Sequence, residues 1–344
     1  MTKIGHIQLP DKPLFLAPME DVTDQSFRSI CKEHGADIMI SEFISSEGLI
    51  RDCDKSFKKM TIDESERPFG VQLYGHNVDS MVEAAKMAET QNPDFIDLNF
   101  GCPAKKIAHR GAGAGLLQNI PLMIRMTEEV IKATSLPVTV KTRTGWNEQS
   151  INILDTAKKL QETGIKAITI HGRTKAQMYK GFANWDIIGQ VKNDPEIEIP
   201  IIGNGDIVGP ESAESAFKNY GVDGIMIGRA TVGMPWLFSA IKTYLDTGNI
   251  PEEPSISEKV KIAKQHLLKS LEWKGHPKGI FEMRRHLSNY FKGLPHFKEI
   301  RKTLVTSLDQ NELLETLDLI EYRYRSFDSS KLKSDSFFHY YERS

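Results

Sequence analysis

The stretch Asp97-Leu98-Asn99-Phe100-Gly101-Cys102-Pro103 decides how the first 230 residues are read. An apolar run from Phe95 to Asn99 breaks into glycine and proline, with a single thiol held between them. Proline cannot continue a central strand and glycine permits a sharp turn, so the segment reads as a strand that presents Cys102 at its carboxyl end. Working outward, the same unit recurs. Short apolar, β-branched segments run from Leu14 to Met19, Asp37 to Phe43, Phe69 to Tyr74, Phe95 to Asn99, Pro137 to Arg143, Ala167 to His171, Ile199 to Asn204 and Gly224 to Arg229. Between them, Asp79 to Thr90, Pro121 to Ala133, Ile151 to Thr163 and Glu211 to Asn219 have helical spacing and length. Eight alternations over about 240 residues predict a (β/α)8 TIM barrel, an α/β fold whose chemistry gathers at the carboxyl ends of the strands. A doubly wound open sheet is the alternative topology.

The barrel pattern ends near residue 248. Asp246-Thr247-Gly248-Asn249-Ile250-Pro251-Glu252-Glu253-Pro254 reads as a linker, and Ser255 with Glu258 forms a capping box for a new helix. The predicted domains are a catalytic barrel over 1–248, a small all-helical domain over 255–325 and a C-terminal extension over 326–344 that contains Phe337-Phe338-His339-Tyr340-Tyr341. The formal charge of -2 conceals an uneven distribution. Between Lys259 and Lys302, twelve Lys and Arg face only Glu272, Glu282 and Glu299, which suggests a polyanionic partner or a strongly solvated helical face. Three cysteines supply no disulfide framework and no Cys/His cluster has metal-ligand spacing, so the expectation is a reducing cytoplasm and no metal. Cys31 and Cys53 read as packed thiols. Histidines 266, 276, 286 and 296 recur every ten residues, which rotates them off any one helical face, and they read as surface or RNA-facing. No apolar run has membrane-spanning length and the N-terminus lacks a signal core. The expectation is a cytoplasmic, monomeric protein.

Polar residues collect where the predicted strands end. Lys141 and Arg143 alternate onto one side of their strand, and two inward cations need a partner, either a carboxylate such as Glu42 or Asp206, or a bound anion or polarised ligand. Gly203-Asn204-Gly205-Asp206 and the glycine before Arg229 close the seventh and eighth strands, where barrels commonly bind phosphate on exposed amides. Gly111-Ala112-Gly113-Ala114-Gly115 lacks the strand-turn-helix context of a dinucleotide loop and reads as a mobile lid or a plain connector.

Taken in order, Ala17-Pro18-Met19-Glu20-Asp21-Val22-Thr23-Asp24 with Phe27-Arg28, Gln72 before Leu73-Tyr74-Gly75, Asn99-Phe100-Gly101-Cys102-Pro103, Lys141-Thr142-Arg143, His171-Gly172-Arg173-Thr174, Asn204-Gly205-Asp206 and Gly228-Arg229 form a series that resembles the bacterial tRNA-dihydrouridine synthases. The likeness runs from about residue 5 to about residue 320 and takes in Glu282-Met283-Arg284-Arg285-His286 and Tyr290-Phe291-Lys292. It implies an FMN barrel and a helical tRNA-binding domain. In the same way it implies that Pro18, Met19 and Glu20 border the flavin, that Gln72 and Lys141 hydrogen-bond its ring with His171 nearby, and that Asn204, Gly205, Asp206, Gly228 and Arg229 hold its phosphate. Cys102 is implied as the general acid, Asn99 and Arg143 as polar residues around substrate or flavin, and Arg284, Arg285 and Lys292 as tRNA contacts. NADPH is the implied reductant. Family members often carry a small or apolar residue where this chain has Glu20.

The residues suit that chemistry. Reducing the C5–C6 bond of uracil needs a hydride at C6 and a proton at C5, and a thiol with an ordinary pKa of about 8.5 is mostly protonated near neutral pH. A flavin barrel acting on a free pyrimidine would also use Asn99 and Cys102, but would leave the basic helices unexplained. A non-catalytic RNA-binding module would leave Cys102 and Lys141 unexplained.

Overall fold

The computed structural model describes residues 2–51 and 54–328. Cys53 and the segment Phe337-Phe338-His339-Tyr340-Tyr341 lie outside the described residues. An antiparallel pair, Lys3–Ile4 and Ile7–Gln8, precedes eight parallel strands: β1 Leu14–Leu16, β2 Met39–Ile40, β3 Phe69–Tyr74, β4 Phe95–Phe100, β5 Val138–Arg143, β6 Ile168–His171, β7 Ile201–Asn204 and β8 Gly224–Ile227. Their order around the sheet is β1-β8-β7-β6-β5-β4-β3-β2. The ring closes through a parallel bridge between Phe15 and Ile38, with the Leu16 N–H donating to the Ile38 carbonyl at 3.1 Å. Closure excludes the open-sheet alternative and establishes the (β/α)8 barrel. A short strand, Ile44–Ser45, extends the β2 side along β3.

Every expected strand segment contains an observed strand, and the four expected helices form as Val78–Glu89, Ile120–Ala133, Ile153–Glu162 and Pro210–Tyr220. Their starts are chemically marked. Asn77 accepts from the Ser80 N–H, and Asn119 accepts from the Leu122 N–H with proline in the first turn. A further helix, Trp185–Lys192, starts on an Asn184 cap, whose side chain accepts from the Ile187 N–H.

Alternation sorts each strand into an inward and an outward set. Phe15, Ile40, Phe95, Ile202 and Met226 from five strands join Ile4 and Leu9 in one buried cluster. One pleat further along the same parity of β3, β4 and β5, the side chains become Gln72, Asp97 and Thr139, which sit in register with one another. The next level carries Asn99 beside Lys141, with His171 beside Asn204. The interior thus changes from apolar to polar toward the carboxyl ends.

Contacts divide the chain into two units. The barrel unit holds residues up to 25, 36–207 and 211–228, and the second unit holds 26–35, 208–210 and the chain from Arg229 on. The second unit contains the helices Leu237–Thr247, Ile256–Lys274, Lys278–Tyr290, Lys298–Thr306 and Gln310–Tyr324. The Ser255–Glu258 capping box is formed, with the Ser255 N–H donating to Glu258 at 2.7 Å and the Glu258 N–H to Ser255 Oγ at 3.3 Å. Its core includes Val260, Leu267, Met283, Leu287, Phe291, Leu304 and Leu317. His266 and His286 correct the surface reading. Both are buried, their ring centroids lie 4.6 Å apart, and each packs on Phe27, while His276 and His296 are exposed. His266 and His286 sit on different helices and His276 and His296 in the turns between helices, so the spacing along the sequence says nothing about a shared face.

Candidate active site

At the carboxyl end of β4 the chain turns through Gly101 and Cys102. Asn99 Oδ1 accepts from the Gly101 N–H at 3.0 Å and the Cys102 N–H at 2.9 Å, a side-chain clamp on the turn. Cys102 is half-buried. Burial pushes its thiol pKa up, partly offset by the Ala104 N–H and by the charges of Arg143 and Lys141. The thiol is therefore protonated at neutral pH. Gly113 and Gly115 correct the lid reading. They are buried, the Ala114 N–H donates to the Cys102 carbonyl at 3.1 Å, and a Cβ on Gly115 would meet the Ala108 carbonyl oxygen at 2.4 Å. This segment is a packed buttress behind the cysteine turn.

The two inward cations of β5 have different work. Lys141 donates to Asn204 Oδ1 at 3.1 Å, and Asn204 is fixed in turn by donating to the Met226 carbonyl at 2.7 Å. Burial lowers the Lys141 pKa to about 8, with Arg143 adding to the effect and Asp97 opposing it. Arg143 is buried and donates to three backbone carbonyls, Gly101 at 2.8 Å, Thr174 at 2.9 Å and Met178 at 2.8 Å. It ties the cysteine turn to the loop after β6.

Of the two carboxylates considered as partners, Asp206 is engaged by Arg173, which is fully buried and reaches both oxygens at 2.9 and 2.8 Å. Arg173 also donates to the Lys180 and Gly181 carbonyls, and Asp206 accepts the Ala183 N–H at 2.7 Å. Arg173 Nη1 lies 3.3 Å from His171 Nε2, and because a guanidinium only donates, that nitrogen is the acceptor of a neutral ring. Glu42 Oε1 accepts the Asp21 N–H. Glu20 is exposed and paired with Lys59 beside the half-buried Pro18 and Met19. Carboxylate oxygens of Glu20, Asp21 and Glu42 lie within 4.8 Å of one another, a grouping that Cys/His spacing does not signal.

Gly205 adopts φ +125°, and a Cβ there would come within 2.6 Å of Ala183 Cβ, so the loop after β7 demands glycine. At Gly228 a Cβ would make only ordinary 3.4 Å contacts with Ala17 and Met19, so packing alone does not require glycine there. Arg229 opens a short 3-10 helix in the second unit. Gln72 is fully buried between Asp97 and Asn99, to which it is hydrogen-bonded. Asp97, Arg173 and Thr139 are site residues that the strand-end reading left without roles. Parity with Asn99 and Lys141 along β4 and β5 is the signal that finds two of them.

In the second unit the basic helices are less uniformly available than their charge suggests. Lys259 is buried and paired with Glu253 at 3.3 Å against the Trp236 ring, Lys264 pairs with Asp318, and Lys274 pairs with Glu282. Arg284 donates to the Thr306 carbonyl at 3.0 Å and lies over Phe281. Lys261, Arg285, Lys292, Lys298, Arg301 and Lys302 are exposed. Tyr290 and Phe291 are core residues. No described helix is long and apolar enough to cross a membrane.

A closed barrel with a polar carboxyl-end layer and a protonated thiol beside a cation defines a protein built for chemistry at the strand ends. A family model for dihydrouridine synthase matches residues 15–325, and the chain belongs to that family. It is 41% identical over 305 residues to a probable tRNA-dihydrouridine synthase of Rickettsia prowazekii, covering 88% of this chain and 92% of the relative. It is 38% identical over 315 residues to tRNA-dihydrouridine synthase B of Shewanella oneidensis, covering 91% and 97%. Among solved structures, histamine dehydrogenase from a Rhizobium species aligns over 74% of this chain and 48% of its own length, with TM-score 0.53 and 11% identity. A 2-naphthoyl-CoA reductase aligns over 72% and 52%, with TM-score 0.54 and 11% identity. The chain spans about half the length of those two structures, and the likeness is one of fold.

Proposed function

We propose that this protein reduces specific uridines of tRNA to 5,6-dihydrouridine, with NADPH as reductant, FMN as hydride carrier and Cys102 as general acid. The observation that carries the reading is the half-buried thiol, kept protonated by burial and coupled to Lys141 and Arg143, in a chain of the dihydrouridine synthase family. The names of its relatives support tRNA as the substrate. The residues fit a flavin. Lys141 spends one hydrogen bond on Asn204 and keeps donors for an electron-rich ring edge, while Gly205 and Gly228 bring bare backbone to the ends of β7 and β8. Asp206 serves that loop by holding Arg173.

When bound, FMN carries reducing equivalents from NADPH to C6 of the uracil as hydride. Cys102 gives its proton to C5, and the thiolate left behind is stabilised by the Arg143 and Lys141 charges until it regains a proton. Asn99 fixes the height of the sulfur by clamping its backbone. A uridine stacked in folded RNA must be extruded to reach this layer, so binding energy has to come from outside it. Arg285, Lys292 and the other exposed cations of the second unit supply phosphate contacts, while Arg284 supports the helix that presents them.

Replacing Cys102 with Ala tests the assignment. Dihydrouridine formation on unmodified tRNA is expected to vanish while flavin content stays at the wild-type level. Full activity in C102A would refute the general-acid role, and turnover on free uridine as fast as on tRNA would refute the substrate.

A further inference from the structure

The geometry points to Asp97 as a positioning residue, whose carboxylate sets the orientation of the Gln72 and Asn99 side-chain amides and, through them, of the Gly101–Cys102 turn. Asp97 is buried on β4 and receives two short hydrogen bonds, from Thr139 Oγ1 at 2.5 Å and Gln72 Nε2 at 2.6 Å. Gln72 Oε1 accepts from Asn99 Nδ2 at 2.8 Å, and Asn99 Oδ1 accepts the Gly101 and Cys102 N–H groups.

This chain has one donor order. A carboxylate can only accept, and two peptide N–H groups can only donate. Between those ends each amide has a single orientation that leaves no donor facing a donor. Asp97 is thus the acceptor that makes the relay unidirectional; it stands on the same strand as the turn and acts on it through two amide side chains, Gln72 on β3 and Asn99 on β4. Burial raises the Asp97 pKa, and the Gln72 and Thr139 hydrogen bonds together with the Lys141 charge offset only part of that rise.

The order can be broken with isosteric changes. Asp97→Asn alone keeps an oxygen toward Gln72 and lets its amide donate to Thr139 Oγ1. Thr139→Val alone leaves a carboxylate that still only accepts. Together they leave an amide with no acceptor at position 139, so it competes to donate to Gln72, and the reversal runs to a donor–donor conflict at Cys102. Because Asp97 and Thr139 are in direct contact, their changes are coupled in stability under either role. The orienting role adds that the coupling appears in kcat and in the reactivity of the Cys102 thiol, with KM unmoved, whereas a merely structural role leaves the Cys102 reactivity of the folded protein unchanged.

This inference rests on Cys102 as the proton donor, and the test separates the two. Full-length wild type, D97N, T139V and the double variant are compared for kcat and KM on unmodified tRNA, and for the iodoacetamide alkylation rate at Cys102 followed by peptide mapping. The expected result is a kcat in the double variant at least tenfold below the product of the single effects, with the KM for tRNA within twofold throughout. The Cys102 alkylation rate is expected to shift at least threefold in the double variant only. Multiplicative kcat values, a loss confined to KM, or equal alkylation rates in all four proteins would overturn it. Wild type that forms no dihydrouridine would defeat the functional reading instead, leaving the alkylation comparison to decide on Asp97.

Discussion

Removing the Asp206 carboxylate is the sharpest test of how the site is held. Arg173 has no solvent exposure, and both oxygens of Asp206 lie on its Nη2, at 2.9 and 2.8 Å. Asp206→Ala strands a buried cation, and breaking a buried pair from one side costs about 3–5 kcal/mol. Against a total stability of about 5–15 kcal/mol for a folded domain, that is about a fifth or more of what holds the barrel together. The loss has a local signature as well. Asp206 accepts the Ala183 N–H while Arg173 holds the Lys180 and Gly181 carbonyls, so the loop after β6 loses its anchor. Urea unfolding is expected to show a lower midpoint with unchanged slope, and hydrogen exchange mass spectrometry is expected to show faster exchange in peptides covering 174–184. Adding Arg173→Met removes the stranded charge and should recover about 1–2 kcal/mol relative to Asp206→Ala. An Asp206→Ala protein within about 1 kcal/mol of wild type, or a double variant weaker than the single one, would refute the reasoning.

Lys141→Met should abolish uridine reduction yet stabilise the protein by about 1–3 kcal/mol at pH 7, because a lysine held at about 8 instead of 10.5 is costly to keep charged. The sign follows from proton counts. Between those two values the unfolded chain binds more protons than the folded one, so wild-type stability rises with pH across that window and the variant's does not. Urea midpoints at pH 7 and pH 10 decide it, and a destabilised variant at pH 7 would count against the burial argument. Arg285→Glu with Lys292→Glu should weaken tRNA binding and lower the slope of log K against log salt by about one to two, whereas Arg284→Ala should chiefly lower the melting temperature. Equal salt slopes in filter binding would remove Arg285 and Lys292 from the RNA interface. Gly115→Ala forces a Cβ to 2.4 Å from the Ala108 carbonyl oxygen and should cost about 1–3 kcal/mol; an unchanged midpoint would restore the mobile-lid reading.

What the chain reveals before folding is set by the range of each interaction. The barrel was legible because a strand's inward face repeats every second residue, a local signal that eight segments report independently. The strand-end residues were legible for the same reason, since Asn99, Lys141, His171 and Asn204 each close an apolar run. Which cation meets which carboxylate was not legible. Arg143, Arg173 and Lys141 are alike in composition, but the register of β5 to β7 hands Asp206 to Arg173, three backbone carbonyls to Arg143 and an amide to Lys141. The histidine spacing failed because helix-to-helix pairing, not sequence interval, brought His266 to His286. The glycine run failed because packing against Ala108 and Cys102 is invisible in a segment whose composition suits a loop. Asp97 lies between these cases. Its parity with Phe95 and Asn99 places it inside the barrel, and an acid inside a barrel must be paired or hydrogen-bonded. Sequence therefore locates the need for partners at this level, and only the register of three adjacent strands says that Gln72 and Thr139 meet it.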